Sequence, residues 1–324
     1  MKYIGVVIRG LEDVAIKEIK EILKVEAKKV FPGRLEFETK SVKKLIEKSQ
    51  SVVKVYEKWG KLKFKDEEEI QAYVKKKKLT VDQPFKISCR REGEHDFNSQ
   101  VIEQMVGIVI DGEHDLKDPE KIVFVDIVDN NFLFGLDLTP KLLSKRDYRI
   151  KISNQSINAC IAYSMVRLSG FNKNKILLDA FSKDGVVTIE AAFYKEGKIN
   201  AFDELFHNVR SCEINSKLAE INKKINFSRT EIDWLDSKFK ENEVDCFVSA
   251  IPFPSKHLME KKVKKIYEEL IHQLKYIMNK KGKCVVIGQN MSLFKEMLSD
   301  FKILDERIVK TGGLEQEMVI FRLR

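Results

Sequence analysis

Hydrophobic and polar positions recur with two different periods along the first half of this chain. Residues 3–8 form a short apolar run typical of a strand, and residues 11–23 repeat apolar positions at helical spacing. The alternating run at 52–64 predicts another strand, and the polar turn at 129–131 separates two more. This half is therefore expected to mix α and β elements.

The pattern changes after residue 155. A long apolar-periodic segment at 157–170 predicts a helix, and short apolar runs then alternate with longer helical segments, as in a doubly wound parallel sheet. The runs predicted as parallel strands are ILLDAF (176–181), VRSCEI (209–214), VDCFVSAI (244–251) and KCVVIG (283–288). The segment 301–324 predicts an antiparallel hairpin around the turn TGG.

Two polar, weakly patterned stretches divide the chain. One lies near residue 150, in SKRDYRIKISNQS, and a softer one lies near residue 65, before DEEEIQAYVKKKK. A length of 324 residues also favours two or three domains over one. We therefore predict domains at 1–64, 65–150 and 151–324.

Composition narrows the class of protein. Apolar residues make up 43% and charged residues 34%, which excludes a disordered or low-complexity chain. No apolar run is long enough for a membrane span, and the N-terminus does not have the pattern of a signal peptide, so we expect a soluble, cytoplasmic protein. The five cysteines are scattered, which predicts buried thiols and no metal site. The net charge of +9 is compatible with a polyanionic partner or with a merely well-solvated surface.

Acidic residues follow several of the predicted strands in the second half. Asp179 and Gly185 fall in a strand–loop–helix segment, where α/β sheets bind ligands outside the carboxyl ends of their strands. Glu213 is expected at the end of the next strand, where a carboxylate can accept both hydroxyls of a ribose. Asp233 and Trp234 follow in a polar connection. The chain contains neither GxGxxG nor a Walker A motif.

Three segments carry a resemblance to a known family. RGLEDVAIKEI is similar to its opening strand and helix, FKISCRREGEHDFNSQVIEQMVG to its R-x-G-x-H-x-F-x-S element, and GLDLTPKLLSKRDYRI to the end of its RNA-binding domain. On these motifs the chain resembles the THUMP-domain RNA methyltransferases that form N2-methylguanosine in tRNA. The resemblance covers nearly the whole chain. It implies N-terminal ferredoxin-like and THUMP α+β domains, followed by a Rossmann-fold methyltransferase domain that binds S-adenosyl-L-methionine.

The resemblance also implies roles for individual residues. THUMP would hold the acceptor stem and 3′ end of a tRNA by phosphate contacts. No metal is expected, and the protein is expected to be a monomer. The expected cofactor-binding residues are Asn158, Asp179, Phe181, Gly185, Glu213, Asp233 and Trp234. The expected acceptor-base residues are Ala250, Pro252 and Phe253, and the expected phosphate contacts are Arg90, Arg91, Lys145, Arg146 and Arg149.

Two positions depart from the family pattern. Lys183 stands where the cofactor loop usually has a glycine, and Ala250 stands where the acceptor motif usually has Asn or Asp. The leading hypothesis is an S-adenosyl-L-methionine-dependent tRNA guanine-N2 methyltransferase. The alternative is an RNA-binding protein whose methyltransferase domain is inactive, and a third possibility is methylation of a different atom or RNA.

Overall fold

Two separate sheets organise the chain in the computed structural model, which describes residues 1–153, 155–255 and 258–324. The chain divides into an N-terminal unit, Met1–Val7 with Ile16–Leu143, and a C-terminal unit, Ile8–Ala15 with Ser144–Arg324. No helix of the described residues combines the length and the apolar character needed to cross a membrane.

The sheet of the N-terminal unit runs β2-β3-β1-β4-β8-β7-β5-β6. Its first four strands and two helices follow the β-α-β-β-α-β order of a ferredoxin-like fold, as expected. The elements of this part of the chain are β1 (Lys2–Val7), α1 (Glu12–Leu23), β2 (Ala27–Phe31), β3 (Arg34–Glu38), α2 (Lys43–Lys48), β4 (Val52–Lys63), α3 (Glu67–Lys76), β5 (Thr80–Glu92), α4 (Ser99–Ile108), β6 (Asp111–His114), β7 (Lys121–Val128) and β8 (Asn131–Asp137).

Local chemistry explains where two helices of this unit, α3 and α4, begin. The Asp66 side chain accepts a hydrogen bond from Glu69 N at the start of α3, and Asn98 does the same for Val101 N at the start of α4. The buried positions of α3 and α4 pack on one apolar core with the inward side chains of β5, β7 and β8. The ferredoxin-like strands and those of residues 65–137 share one sheet, so the boundary at residue 65 stays a prediction.

The sheet of the C-terminal unit runs β11-β10-β9-β12-β13-β15-β14, with the last two strands antiparallel. Its elements are α5 (Ala159–Ser169), β9 (Ile176–Asp179), α6 (Val186–Tyr194), β10 (Lys198–Asp203), α7 (Phe206–Leu218), β11 (Ile225–Arg229), β12 (Val244–Ala250), α8 (Glu260–Ile277), β13 (Met278–Gly288), α9 (Ser292–Glu296), β14 (Phe301–Thr311) and β15 (Leu314–Leu323). The doubly wound class and the terminal hairpin are thus as expected.

One predicted strand of this unit is wrong. Residues 209–214 lie inside helix α7, and the strand next to β9 is β10 instead. Val209 and Cys212 are buried three positions apart, and buried Asn215 and Ser216 continue the same face. That spacing fits a helix, whereas the short letter pattern VRSCEI resembled a strand.

The order of the parallel strands reverses next to β9, which lies between β10 and β12. Chain connections leave in opposite directions from such a point, so a crevice opens outside the carboxyl ends of the two strands. Here those ends are Asp179 of β9 and Ala250 of β12. The fold therefore places the candidate site at these two residues.

Candidate functional site

Asp179 is the buried carboxylate at the floor of this crevice. Its Oδ1 accepts hydrogen bonds from Ser249 Oγ at 2.5 Å and from Phe181 N at 3.2 Å. Burial raises the pKa of Asp179 to about 7, although the bond from Ser249 opposes the shift. Ser249 also accepts from Ala180 N, so it ties the end of β9 to β12.

The loop from Ala180 to Gly185 is shaped by two left-handed residues. Gly185 has φ +84°, and a Cβ there would lie 2.3 Å from Cys212 Sγ, so only glycine fits. Lys183 has φ +49°, a conformation that non-glycine residues rarely adopt. Ser182 Oγ is buried and makes no hydrogen bond within the described residues, which leaves one polar atom in the loop for a ligand.

The Lys183 side chain crosses the crevice. Its Nζ donates to Ala250 O at 3.0 Å and to Gln155 O at 3.3 Å. Burial lowers the pKa of this amine, and three nearby aspartates oppose the shift. The two positions that depart from the family pattern are therefore in direct contact.

Asp203 ends the next strand, β10, where the sequence analysis expected Glu213. Asp203 Oδ2 accepts from Lys183 N at 3.0 Å, and its Oδ1 accepts from Leu205 N and Asn208 Nδ2. Glu213 lies instead on α7, where its carboxylate accepts from Arg210 at 2.9 Å. The expectation that Glu213 ends a strand is wrong, and the strand-end acid was missed in INAFDE, a run of the same kind as ILLDA.

An acidic rim continues from Asp203. Glu204 is exposed, and its pKa is raised by burial of part of the carboxyl and by the charges of Asp203, Glu231 and Asp233. Asp233 lies in a short 3-10 helix, Ile232–Ser237, beside an exposed Trp234. Glu204 and Asp233 therefore leave carboxylates accessible near the end of β10.

The segment after β12 holds the expected acceptor residues. Ala250 and Pro252 are buried, whereas Phe253 is half-buried. Tyr267 OH donates to Pro252 O at 2.6 Å, and Ile251 N donates to Ile287 O, which fixes the backbone of the segment. Asn158 caps helix α5 by accepting from Cys160 N at 2.8 Å, so its side-chain oxygen already has a structural partner.

The five expected phosphate contacts fall into two groups. Arg90, Arg91 and Lys145 keep part or all of their side chains in solvent. Arg90 donates to Glu92, and the Arg91 guanidinium lies 5.5 Å from the centroid of the Phe97 ring.

Arg146 and Arg149 are turned inward, contrary to expectation. Arg146 forms a bidentate ion pair with the buried Glu190, with Nε 2.9 Å from Oε1 and Nη2 3.1 Å from Oε2. Arg149 Nη2 donates to Ser156 Oγ at 2.5 Å and to the buried Asp184 at 3.1 Å. Their side chains are only 14% and 12% exposed and are already paired with carboxylates, which argues against phosphate contact by either residue, so that role stays a prediction. The two guanidiniums pair with buried carboxylates, Glu190 on α6 and Asp184 in the loop, and the spacing along the sequence does not reveal these pairs.

Comparison with known proteins agrees with this geometry. Residues 146–319 match the family described as RMKL-like, methyltransferase domain, and residues 66–137 match the THUMP domain. A tRNA (guanine(6)-N2)-methyltransferase of Methanocaldococcus jannaschii is 26% identical over 73% of this chain and 75% of its own length. An enzyme of the same name from Archaeoglobus fulgidus is 25% identical over 97% of this chain and 90% of its own length.

The fold also matches a solved structure along its whole length. The crystal structure of TrmN from Thermus thermophilus superposes with a TM-score of 0.83 at 21% identity, covering 100% of this chain and 99% of that one. This similarity supports the fold of each of the two units.

Proposed function

Because this chain belongs to the RMKL-like methyltransferase family and carries a THUMP domain, we propose that it methylates the exocyclic N2 of a guanine in tRNA. S-adenosyl-L-methionine is the methyl donor. The observation that carries the proposal is the crevice at the ends of β9 and β12, where a buried carboxylate, a left-handed loop and a fixed acceptor segment meet. Relatives that match most of the chain bear the name of this activity.

The residues of the crevice fit the donor. The unpartnered Ser182 hydroxyl offers a hydrogen bond, and the accessible carboxylates of Glu204 and Asp233 suit the hydroxyl and amino groups of a nucleoside. When ionised, Asp179 places a negative charge at the floor of the crevice, which favours a bound cation. When bound, the donor supplies an electrophilic methyl group on a sulfonium. We assign Asp179, Phe181, Gly185 and Asp233 to this pocket, and Asp203 and Glu204 replace Glu213 as the acids at its edge.

The acceptor segment positions the base. Phe253 offers a half-buried ring on which a guanine outside its stack can lie, a contact worth roughly 1–3 kcal/mol in single-strand binders. The amine of guanine is a poor nucleophile because its lone pair is delocalised into the ring. The carbonyl oxygens of Ala250 and Pro252 already accept one bond each, from Lys183 and Tyr267, and their second lone pairs hold the amine in the orientation for attack.

Binding of the tRNA itself is assigned to the THUMP domain and to Lys145, which follows it at the start of the C-terminal unit. Arg90 and Arg91 of the THUMP domain, together with Lys145, keep side-chain nitrogens in solvent and are proposed to contact phosphates. We further propose that the target lies in the acceptor stem and that the protein acts as a cytoplasmic monomer without a metal.

The test is nucleoside analysis after incubation with an unmodified tRNA transcript and S-adenosyl-L-methionine. The proposal predicts N2-methylguanosine in the digest, and its loss when guanines of the acceptor stem are replaced in turn. Tight tRNA binding with no methylated nucleoside would support the inactive RNA-binding alternative. A methyl group on another atom would move the function to the third possibility.

A further inference from the structure

The contact between Lys183 and Ala250 joins the two unusual positions of the crevice. Lys183 Nζ lies 3.0 Å from Ala250 O and 3.3 Å from Gln155 O. A neutral amine has two N–H donors and one lone pair. Two carbonyls therefore use both donors of a neutral amine and leave its lone pair free beside the acceptor segment.

The proposed reaction creates a proton that needs an acceptor. The N2 lone pair forms a bond to the methyl carbon while the carbon–sulfur bond pair stays on sulfur. N2 then bears the positive charge and one hydrogen too many. Asp203 already accepts three hydrogen bonds. The carboxylate of Asp179 keeps Oδ2 for a further bond, but its Oδ1 is held by Ser249 and Phe181, whereas Lys183 Nζ lies at the acceptor segment itself, 3.0 Å from Ala250 O.

Resting on the proposed function, we infer that Lys183 is the proton acceptor of methyl transfer, and that it becomes neutral when the sulfonium donor binds in the same crevice. An ammonium and a sulfonium repel each other at short range, so binding of the donor favours release of the ammonium proton. The neutral amine then takes the proton from N2, which yields neutral N2-methylguanine and an ammonium. The ammonium returns its proton to solvent after the products leave.

The surroundings of Lys183 make its charge adjustable. Burial lowers the pKa of the amine, and Asp179 on β9, Asp203 on β10 and Asp184 in the loop raise it. Asp184 is itself paired with Arg149, which weakens the stabilisation of the Lys183 ammonium by this carboxylate. A bound cation opposes the three carboxylates, and the pKa of Lys183 then falls further.

The experiment is isothermal titration of the full chain with S-adenosyl-L-methionine and with its neutral thioether product, in two buffers of different ionisation enthalpy. The variants are K183M, which keeps the length without the charge, and K183G, which suits the left-handed backbone. K217M removes an exposed lysine of α7 as the matched control. The pKa of Asp179 is about 7 and is lowered by the charge of Lys183, so the natural chain and K183M are compared well above that pH, where the Asp179 carboxyl is ionised in both.

We expect the natural chain and K217M to release about one proton more than K183M on binding the sulfonium donor, and no such excess with the thioether. In the pH range where the Lys183 amine is charged in the free protein, the donor affinity of the natural chain and of K217M should rise about tenfold per pH unit relative to that of K183M. With tRNA, K183M and K183G bind the donor but lose roughly 10²–10⁴-fold in kcat, as expected for a general base.

Equal proton release by the natural chain and K183M, or an unchanged kcat, would overturn the role of Lys183 while the methyltransferase function stands. Donor binding by K183G but not by the natural chain would show that Lys183 blocks the crevice, and would also overturn the inference. If no variant binds the donor, the proposed function itself fails.

Discussion

Replacing Arg146 tests whether this residue stabilises the fold or contacts RNA. The Arg146 side chain is 14% exposed and its partner Glu190 is fully buried. Arg146 donates two hydrogen bonds to Glu190, and Tyr148 OH donates a third at 2.8 Å. Arg146→Ala therefore leaves a buried carboxylate with one of these three donors.

The expected cost follows from this geometry. Removing one partner of a buried ion pair destabilises a protein by about 3–5 kcal/mol, because the remaining charge stays buried after it has lost the opposite charge. At about 2–4 °C per kcal/mol for a domain of 150–250 residues, the unfolding temperature should fall by about 6–20 °C. The double variant R146M/E190Q removes both charges and keeps an acceptor for Tyr148, so it should recover much of the loss.

The assay is thermal unfolding followed by circular dichroism, together with tRNA binding at several salt concentrations. Lys145→Ala is the matched control, since an exposed neighbour should change the free energy of unfolding by less than about 0.5 kcal/mol. The reasoning would be refuted if R146A unfolded at the same temperature as the natural chain but bound tRNA more weakly, with a smaller salt dependence.

Three further predictions concern the crevice and the RNA-binding surface. Gly185→Ala should impair both stability and donor binding, because its Cβ would lie 2.3 Å from a cysteine sulfur. Gly313→Ala has nearly the same φ but lies in open space, so it should cost only the backbone strain. Thermal unfolding and calorimetry compare the two variants. Asp203→Asn should weaken donor binding far more than Glu213→Gln, and equal effects in calorimetry would contradict the corrected assignment. Arg90→Ala should reduce the salt dependence of tRNA affinity by up to about 0.9 in log–log slope for one lost phosphate contact, with donor affinity unchanged.

The sequence predicted the fold better than it predicted the site. Apolar runs and turn residues report local structure directly, and for that reason ILLDAF was placed correctly and Asp179 with it. VRSCEI failed because six residues are too few to separate a strand from one face of a helix. The error moved the strand-end acid from Asp203 to Glu213.

Long-range pairs explain the other differences. The partners of Arg146 and Arg149 lie 44 and 35 residues away along the chain, and nothing in the local pattern marks Glu190 or Asp184 as buried acceptors. The contact of Lys183 with Ala250 spans 67 residues and arises only when β9 and β12 become neighbours. The sequence identified both positions as unusual, and the fold shows that they are in contact.

The central claim is that the crevice of β9, β10 and β12 holds a methyl donor although Lys183 lies across it. The most direct test is calorimetric titration of the unmodified chain with S-adenosyl-L-methionine, with no RNA present. We expect micromolar binding at one site per chain, weakened by Asp203→Asn. The absence of binding at millimolar donor, with the chain folded, would contradict it and leave an RNA-binding protein whose methyltransferase fold is inactive.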